Sequence, residues 1–250
     1  MKKISILTLS LALSMGLANA AIVLQDSAIF ANNGKATLTD AEIGGLDVSS
    51  GDKLVVTIGL EGDDSGPDST VTYNNQNMTL AASNMGLNGL NPSGWVGIYY
   101  LDNVSSFGAG TLVFTNNGYS AGVSFMVLSG TASGVGNVNS ANATTLNLGV
   151  SAGSFMVAAF GDTADAAITV VSPLTTLLNS DALVAAGDDG SASYGTGYQS
   201  ISSAGTATPS FTSTTDRPNM VAAEFTAVPE PSTILLLSAV GSLILLRRRR

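Results

Sequence analysis

The groups in this chain best suited to acid–base or metal chemistry are its carboxylates. The 250 residues include 18 Asp and Glu, with no Cys and no His. That excludes a Ser-His-Asp triad, a cysteine nucleophile, and a zinc site built from imidazole or thiolate. Hydrolysis by paired carboxylates, or chemistry at a metal held by oxygen ligands, is what remains. The densest acidic stretch is Glu61-Gly62-Asp63-Asp64-Ser65-Gly66-Pro67-Asp68. Asp63, Asp64 and Asp68 on a Gly/Pro loop offer hard oxygen ligands that would suit a structural Ca²⁺. Their spacing is not that of the EF-hand loop, which needs Asp-x-Asp-x-Asp-Gly and a distal Glu. The bland alternative is a solvated loop that discourages edge-to-edge aggregation. Gly187-Asp188-Asp189-Gly190 is a thinner version of the same signal. A glycosidase needs two carboxylates across a cleft, one of them with a raised pKa. Glu224 alone sits within an apolar strand, Val221 to Phe225, and alternation there directs it to solvent. The expectation is a non-enzymatic protein with no cofactor beyond that possible calcium.

Aromatic residues raise a different chemistry. Trp95, Tyr99 and Tyr100 could stack against sugar rings, with Tyr73, Tyr119, Tyr194 and Tyr198 as further candidates. The competing reading is that a lone Trp opening an apolar strand belongs to the core. Asn77, Asn103 and Asn142 head Asn-x-Ser/Thr triplets, which arise by chance in a chain this rich in those residues. The stretch Ser200 to Thr215 is rich in Gly, Ser and Thr, as expected of an O-glycosylated segment, a flexible linker or a loop.

The elements that must position these groups read as all-β. Apolar residues come in short runs between turn residues. In Lys53 to Leu60, Leu54, Val56, Ile58 and Leu60 fall on one face, and Val55, Thr57 and Gly59 on the other. Further strands are predicted over Ser69 to Tyr73, Met78 to Ala82, Trp95 to Leu101, Thr111 to Thr115, Gly122 to Leu128, Ser154 to Phe160, Ala166 to Val171 and Asn219 to Ala227. Asn116-Asn117-Gly118 predicts a tight hairpin between Thr111–Thr115 and the segment from Tyr119. Pro173 to Ala186 reads as a short helix or a long loop. No internal repeat at a fixed period is visible. Many short strands with frequent turns favour a single antiparallel β-sandwich, jelly-roll or immunoglobulin-like, over βαβ units.

Both ends of the chain have a separate character. Lys2 and Lys3, the apolar Ile4 to Leu17 and the A-x-A site Ala18-Asn19-Ala20 read as a signal peptide, residues 1–20, released so that the mature chain starts at Ala21. At the other end, Val228-Pro229-Glu230-Pro231-Ser232 precedes an apolar run. That run, Ile234 to Leu246, includes Ile234, Leu235, Leu236, Leu237, Leu243, Ile244, Leu245 and Leu246. It then meets Arg247, Arg248, Arg249 and Arg250. The prolines keep the junction extended. The run spans roughly 20 Å as helix against a hydrocarbon core of roughly 30 Å, a marginal span suited to temporary anchoring. Fixed positive charge at both extremes keeps those ends cytoplasmic and places the intervening body outside. Of the 9 basic residues only Lys35, Lys53 and Arg217 fall in the body, and Glu230 lies in the motif, so the body carries a charge of about −14. Three scattered cations cannot neutralise phosphates, so nucleic acid is excluded as a partner. Without disulfides, a body of about 208 residues must be stable through packing alone.

The order of motif, apolar run and basic tail over Val228 to Arg250 resembles the PEP-CTERM sorting signal of Gram-negative and related bacteria. The resemblance implies that Pro229, Glu230 and Pro231 form a recognition triplet. It also implies a partner: an exosortase, a membrane cysteine protease that cuts near the motif and passes the protein to the surface or extracellular matrix. The body looks like a bacterial extracellular β-sandwich module. Leu54-Val55-Val56 with its acidic loop, Val71-Thr72-Tyr73-Asn74, Met78-Thr79-Leu80 and Val96-Gly97-Ile98-Tyr99-Tyr100-Leu101 carry that likeness. So do Gly110-Thr111-Leu112-Val113-Phe114, Phe155-Met156-Val157 and Met220-Val221-Ala222-Ala223-Glu224-Phe225. The expected organisation is a signal peptide at 1–20, an extracellular sandwich at 21–227 and a sorting signal at 228–250. The expected course is export by the general secretory machinery, transient inner-membrane anchoring, then deposition at the surface or in a matrix. A carbohydrate-binding or adhesive module that contacts exopolysaccharide is the rival expectation, with a carboxylate hydrolase third.

Overall fold

The alternation over Asp52–Leu60 becomes, in the computed structural model, a strand buried along its whole length. A strand in a two-layer protein buries one face; this one buries both. The structure describes residues 21–33, 37–39, 45–60, 66–67, 69–86, 94–105, 110–115, 120–162, 168–184, 191–213 and 218–229. The first half of the chain supplies β1 (Val23–Asn33), β2 (Thr37–Thr39), β3 (Asp52–Leu60), β4 (Thr72–Tyr73), β5 (Gln76–Asn77), β6 (Thr79–Met85), β7 (Trp95–Val104), β8 (Thr111–Val113) and β9 (Ser120–Ser129). The second half supplies β10 (Val138–Ala141), β11 (Leu148–Val150), β12 (Phe155–Asp162), β13 (Thr169–Val170), β14 (Thr175–Val184), β15 (Ser191–Ser200), β16 (Gly205–Ala207), β17 (Phe211–Thr212) and β18 (Pro218–Phe225).

The strands form two five-stranded antiparallel sheets, ordered β1-β9-β3-β7-β6 and β10-β18-β12-β15-β14, with small sheets β2-β8-β4-β5, β11-β16 and β13-β17. These orders repeat. Within each half, the long strands counted in chain order lie first-fifth-second-fourth-third. The small strands follow suit: β8, between the fourth and fifth long strands, pairs with β2 and β4. In the second half the corresponding stretch, β16 and β17, pairs with β11 and β13. Register fixes which residues correspond. Val55 faces Tyr100 as Val157 faces Tyr198, and Gly59 faces Val96 as Gly161 faces Tyr194.

Three apolar clusters explain the two-sided burial. One lies within the first half, where Leu54, Val56, Ile58 and Leu60 meet Leu112, Phe114 and Phe125. Its counterpart in the second half gathers Met156, Ala158 and Phe160 with Ile168, Phe211 and Met220. The third joins the two five-stranded sheets, with Val55, Val96 and Ile98 against Val157, Ala159, Tyr194 and Val221. Each fully buried Val, Leu or Phe contributes roughly 1.5–3 kcal/mol, which is how a body without disulfides holds together. The joint between the sheets is reciprocal. A Cβ on Gly59 would overlap the Tyr194 ring, and a Cβ on Gly161 would lie 2.9 Å from Val96 Cγ1. Gly59 and Gly161 are equivalent, as are Val96 and Tyr194, so each half presents the same groove to the same knob of the other. That is the signature of a two-fold contact. Near its centre Thr57 Oγ1 lies 2.6 Å from Ser124 Oγ and 2.8 Å from Thr196 Oγ1, a buried hydroxyl chain that satisfies itself across the joint.

Several expectations are corrected. Thr111–Val113 and Ser120–Ser129 do not form a hairpin, because β8 pairs with β2 and β4 while β9 pairs with β1 and β3. The chain crosses between sheets there; Asn116 to Gly118 lie outside the described residues. The two-residue hairpin is instead Tyr73-Asn74-Asn75-Gln76, with φ of 47° and 61° at Asn74 and Asn75, as a type I′ turn requires. Of Pro173 to Ala186, the described part through Val184 is neither helix nor long loop, since Thr175–Val184 is an edge strand on β15. The Ser/Thr-rich stretch from Ser200 is no linker: it holds β16 and β17. An internal repeat exists in strand order although no period shows in the residues. Residues Ala21–Ala227 make one compact unit.

Candidate functional site

The chemistry-bearing side chains converge on the short connection between the two halves. β9 ends at Ser129 and β10 begins at Val138. Between them Gly130 adopts φ 75°, and an added Cβ there would lie 2.8 Å from the carbonyl oxygen of Ala21. Only glycine suits such a backbone beside another chain segment. One residue on, Thr131 forms a β-bridge with Ala227, and Ala132 N donates to Thr226 O at 2.8 Å. The expected first residue of the mature body and the last residue of the body therefore meet the same connection. Ile22 and Ala227, 9% and 7% exposed, share the central cluster.

Two carboxylates and one ammonium grip the rest of the connection. Lys53 Nζ lies 2.7 Å from Asp102 Oδ1 and also donates to the Gly134 carbonyl. Asp102 Oδ2 accepts from Gly134 N at 2.8 Å and from Ser133 Oγ at 3.0 Å. Lys53 is 1% exposed, and its ammonium sits 4.9 Å from the Tyr100 ring centre and 5.3 Å from that of Phe225. One side chain thus ties β3, β7, the connection and β18 together. Burial pulls the Lys53 pKa down, against the opposing pull of Asp102. Burial pushes the Asp102 carboxyl up, but the bonds from Lys53, Gly134 and Ser133 outweigh it and hold the pKa below the ordinary value. Glu224 grips the far end. Its backbone N donates to Asn137 O at 2.8 Å, and its carboxylate accepts from Ser151 N, Asn137 N and Asn137 Nδ2. Burial raises its pKa, and the donors from Ser151 and Asn137 bring it below the ordinary value. Alternation pointed Glu224 to solvent; it is 1% exposed. Its carboxylate replaces solvent with peptide N–H groups.

Other expected sites fare differently. Asp63, Asp64 and Asp68 lie outside the described residues, as does Asp188-Asp189. Among the described residues no group of three or more Asp or Glu could hold a metal. The aromatic platform is not a surface. Trp95 is 5% exposed, packed where Cβ atoms on Gly66 and Gly97 would collide with it, and tilted against buried Tyr99 at 6.2 Å. Burial pushes the Tyr99 hydroxyl up to about 12. Tyr73 and Tyr194 are buried, Tyr100 packs against Phe225, and Tyr198 stacks on Phe155 at 5.3 Å. Tyr119 lies outside the described residues. Asn77, Asn103 and Asn142 are exposed. Lys53 and Asp102 were not singled out from the sequence, although a lysine inside an otherwise apolar strand, in a body with three cations, was a usable signal.

β18 ends at Phe225, fully buried; Val228 is 44% exposed and Pro229 is exposed. Ala18 and Ala20, the triplet members Glu230 and Pro231, Ser232, and the run from Ile234 through Arg250 lie outside the described residues; Ala21 is exposed. Residues 227–250 match the family model of the PEP-CTERM protein-sorting motif, so the chain carries that sorting domain at its C-terminus. The motif implies an exported protein, transiently anchored at a membrane and processed by an exosortase. No curated protein and no solved structure matches the chain.

Proposed function

We propose that this chain is a non-enzymatic structural protein, exported through its 1–20 signal peptide and held briefly by Ile234–Leu246. It is then cut near Pro229-Glu230-Pro231 and deposited at the cell surface or in an exopolysaccharide matrix. On this reading the body is a pair of jelly-roll sandwiches joined face to face. The observation that carries the reading is the sorting motif, abutting an all-β body. Two carboxylates at the crossover support it, because Asp102 and Glu224 are engaged by lysine and peptide donors. The test is fractionation of native cells with intact-mass measurement. A shortened chain outside the inner membrane is expected. A chain that stays in that membrane with Arg247 to Arg250 attached overturns it.

A carbohydrate-binding reading has one observation in its favour. A groove of about 360 Å³ runs past Val150, Pro173 and Gln199 to Thr208, lined by hydroxyls and an amide with no ionised group. Such a lining suits a neutral polyhydroxyl ligand. Saturable retention on a polysaccharide array, lost when Gln199 and Thr206 become Ala, would establish it; no retention on any glycan would remove it.

A further inference from the structure

The joint between the two halves is built like an interface between two subunits. Each half keeps an apolar cluster made only of its own residues, and residues 130–137 tie the halves together. Drawn straight, that strip would reach roughly 26 Å. In the fold it bends at Gly130 and Gly134, where φ is 75° and 80°.

The contact is also coded by size. Gly59 lies opposite Gly122, and the Tyr194 ring fits over Gly59. The equivalent pair is Gly161 and Asn219, and the Asn219 side chain already stands in that seat, so the knob received there is the smaller Val96. Asn219 is 1% exposed and donates from Nδ2 to Gly94 O across the joint at 3.1 Å. Two second halves face to face would drive Tyr194 into Asn219. Two first halves would put Val96 where a ring is needed and leave a void. Hydroxyls follow the same code. Thr57 Oγ1 meets Thr196 Oγ1 across the joint at 2.8 Å. The positions equivalent to Thr57 and Ser124 are Ala159 and Val221. Between two second halves, Thr196 would bury its hydroxyl against those apolar residues without that partner. Each half therefore refuses its own kind and accepts the other.

We propose that this joint is a recognition surface for a second copy of the chain, entered by exchange of halves: the first half of one copy seats the second half of another. Exchange preserves all three apolar clusters, the Tyr194 and Val96 seats and the Thr57–Thr196 contact, and it alters only the path of residues 130–137. A closed dimer forms when two chains exchange mutually. An open string of copies forms when each chain passes its second half to the next. Within one chain the two halves meet at an effective concentration on the order of millimolar, so the closed single chain dominates when dilute and exchange grows where copies crowd.

The chain has no cysteine, so single introduced cysteines report this contact without interference. Full-length Thr57→Cys and Thr196→Cys chains are unfolded together in urea and refolded in mild detergent with oxidised glutathione. The two positions meet only where a first half packs on a second half, so a disulfide between two chains requires exchange. At ~0.1 mM about a tenth of the chains are expected to exchange, and covalent dimer on a non-reducing gel should rise in proportion to concentration. Either variant refolded alone is expected to give only a background of covalent dimer. Both substitutions in one chain are expected to close an internal disulfide. A mixture that yields no more covalent dimer than either variant alone, at concentrations up to about 1 mM, overturns the exchange. A double variant that fails to close denies the Thr57–Thr196 contact, and the proposal falls with it.

Discussion

Replacing either partner of the Lys53–Asp102 pair should destabilise the body, but by unequal amounts. The carboxylate is 23% exposed and keeps Gly134 N and Ser133 Oγ if the ammonium is removed. The ammonium is 1% exposed and, with Asp102 gone, keeps only the Gly134 carbonyl and two aromatic rings. At 2.7 Å the gross attraction is about 6 kcal/mol for an effective dielectric of about 20. Asp102→Asn leaves a buried charge unpaired, typically about 3–5 kcal/mol. An upper limit follows independently. At pH 7, deprotonating a lysine of ordinary pKa costs about 5 kcal/mol, and beyond that the side chain escapes by becoming neutral. Lys53→Met retains most of the stem's packing and leaves a carboxylate with two donors and some water, so about 2 kcal/mol is expected.

The sign of the pH dependence separates this account from a general packing defect. Burial holds the folded-state pKa of Lys53 below the ordinary lysine value. Such a group destabilises the fold fully at low pH and less as pH rises through the folded value. Asp102→Asn should lower that pKa further, so its penalty should shrink between pH 7 and pH 9.5, while that of Lys53→Met, which removes the titrating group, should hold or grow as the wild-type fold is relieved of its buried charge. The assay is urea unfolding of the purified body variants at both pH values, with the double variant completing a cycle. A Lys53→Met penalty equal to or larger than that of Asp102→Asn, or an Asp102→Asn penalty that does not fall with pH, would refute the reasoning.

Other outcomes follow from the same contacts. Gly59→Ala should cost about 2–3 kcal/mol by driving a methyl into Tyr194, whereas Gly205→Ala, with open space around it, should stay within about 0.5 kcal/mol in the same unfolding assay. Glu224 has a folded pKa below the ordinary glutamate value, so its stabilisation is present above that ordinary value and is lost as pH falls through the folded value. Glu224→Gln should therefore flatten the acid limb of the stability–pH curve by up to one proton; an unchanged limb would count against the clasp. Tyr99 should ionise near pH 12 in a spectrophotometric titration of the folded body, and stability should decline from about pH 10 towards 12 as the unfolded chain ionises first. An ordinary tyrosine titration from all the described tyrosines would show that Tyr99 is not buried in solution.

Strand existence was legible wherever side chains alternate or run apolar, as over Lys53–Leu60 and Ser154–Phe160, because the pleat must hide them. It was illegible in β14 and β15, where Gly, Ser, Thr and Asn carry no hydrophobic period and pairing alone makes the strand. The repeat was hidden for a related reason. Equivalent positions keep the contact and change the residue: Leu54 against Met156, Thr57 against Ala159, Val96 against Tyr194. Lys53 corresponds to Phe155, and each packs on the equivalent tyrosine, the ammonium over Tyr100 and the ring on Tyr198. The false hairpin shows the limit of turn chemistry. Asn-Asn-Gly permits a tight turn but does not choose the sheet in which the next strand finds its partner. The sorting motif matched at 227–250 was legible, because a signal of that kind is written in local composition and needs no tertiary partner.

The strand order also explains why the chain's landmarks gather in one place. In each half the first and last long strands are neighbours, so β1 starts beside the end of β9, and β10 starts beside the end of β18. A chain that repeats this order must begin, cross over and finish at adjacent points, whatever its side chains. Ala21, Gly130–Ala132 and Ala227 are those points. The residues then reinforce what topology supplies. The lone described lysine of the body and two of its carboxylates, Asp102 and Glu224, hold the crossover. A body whose two ends leave from neighbouring points can fold while both remain tethered, since no strand must thread past a fixed end. For a protein that carries a sorting motif at its C-terminus, that property follows from the backbone before any side chain is chosen.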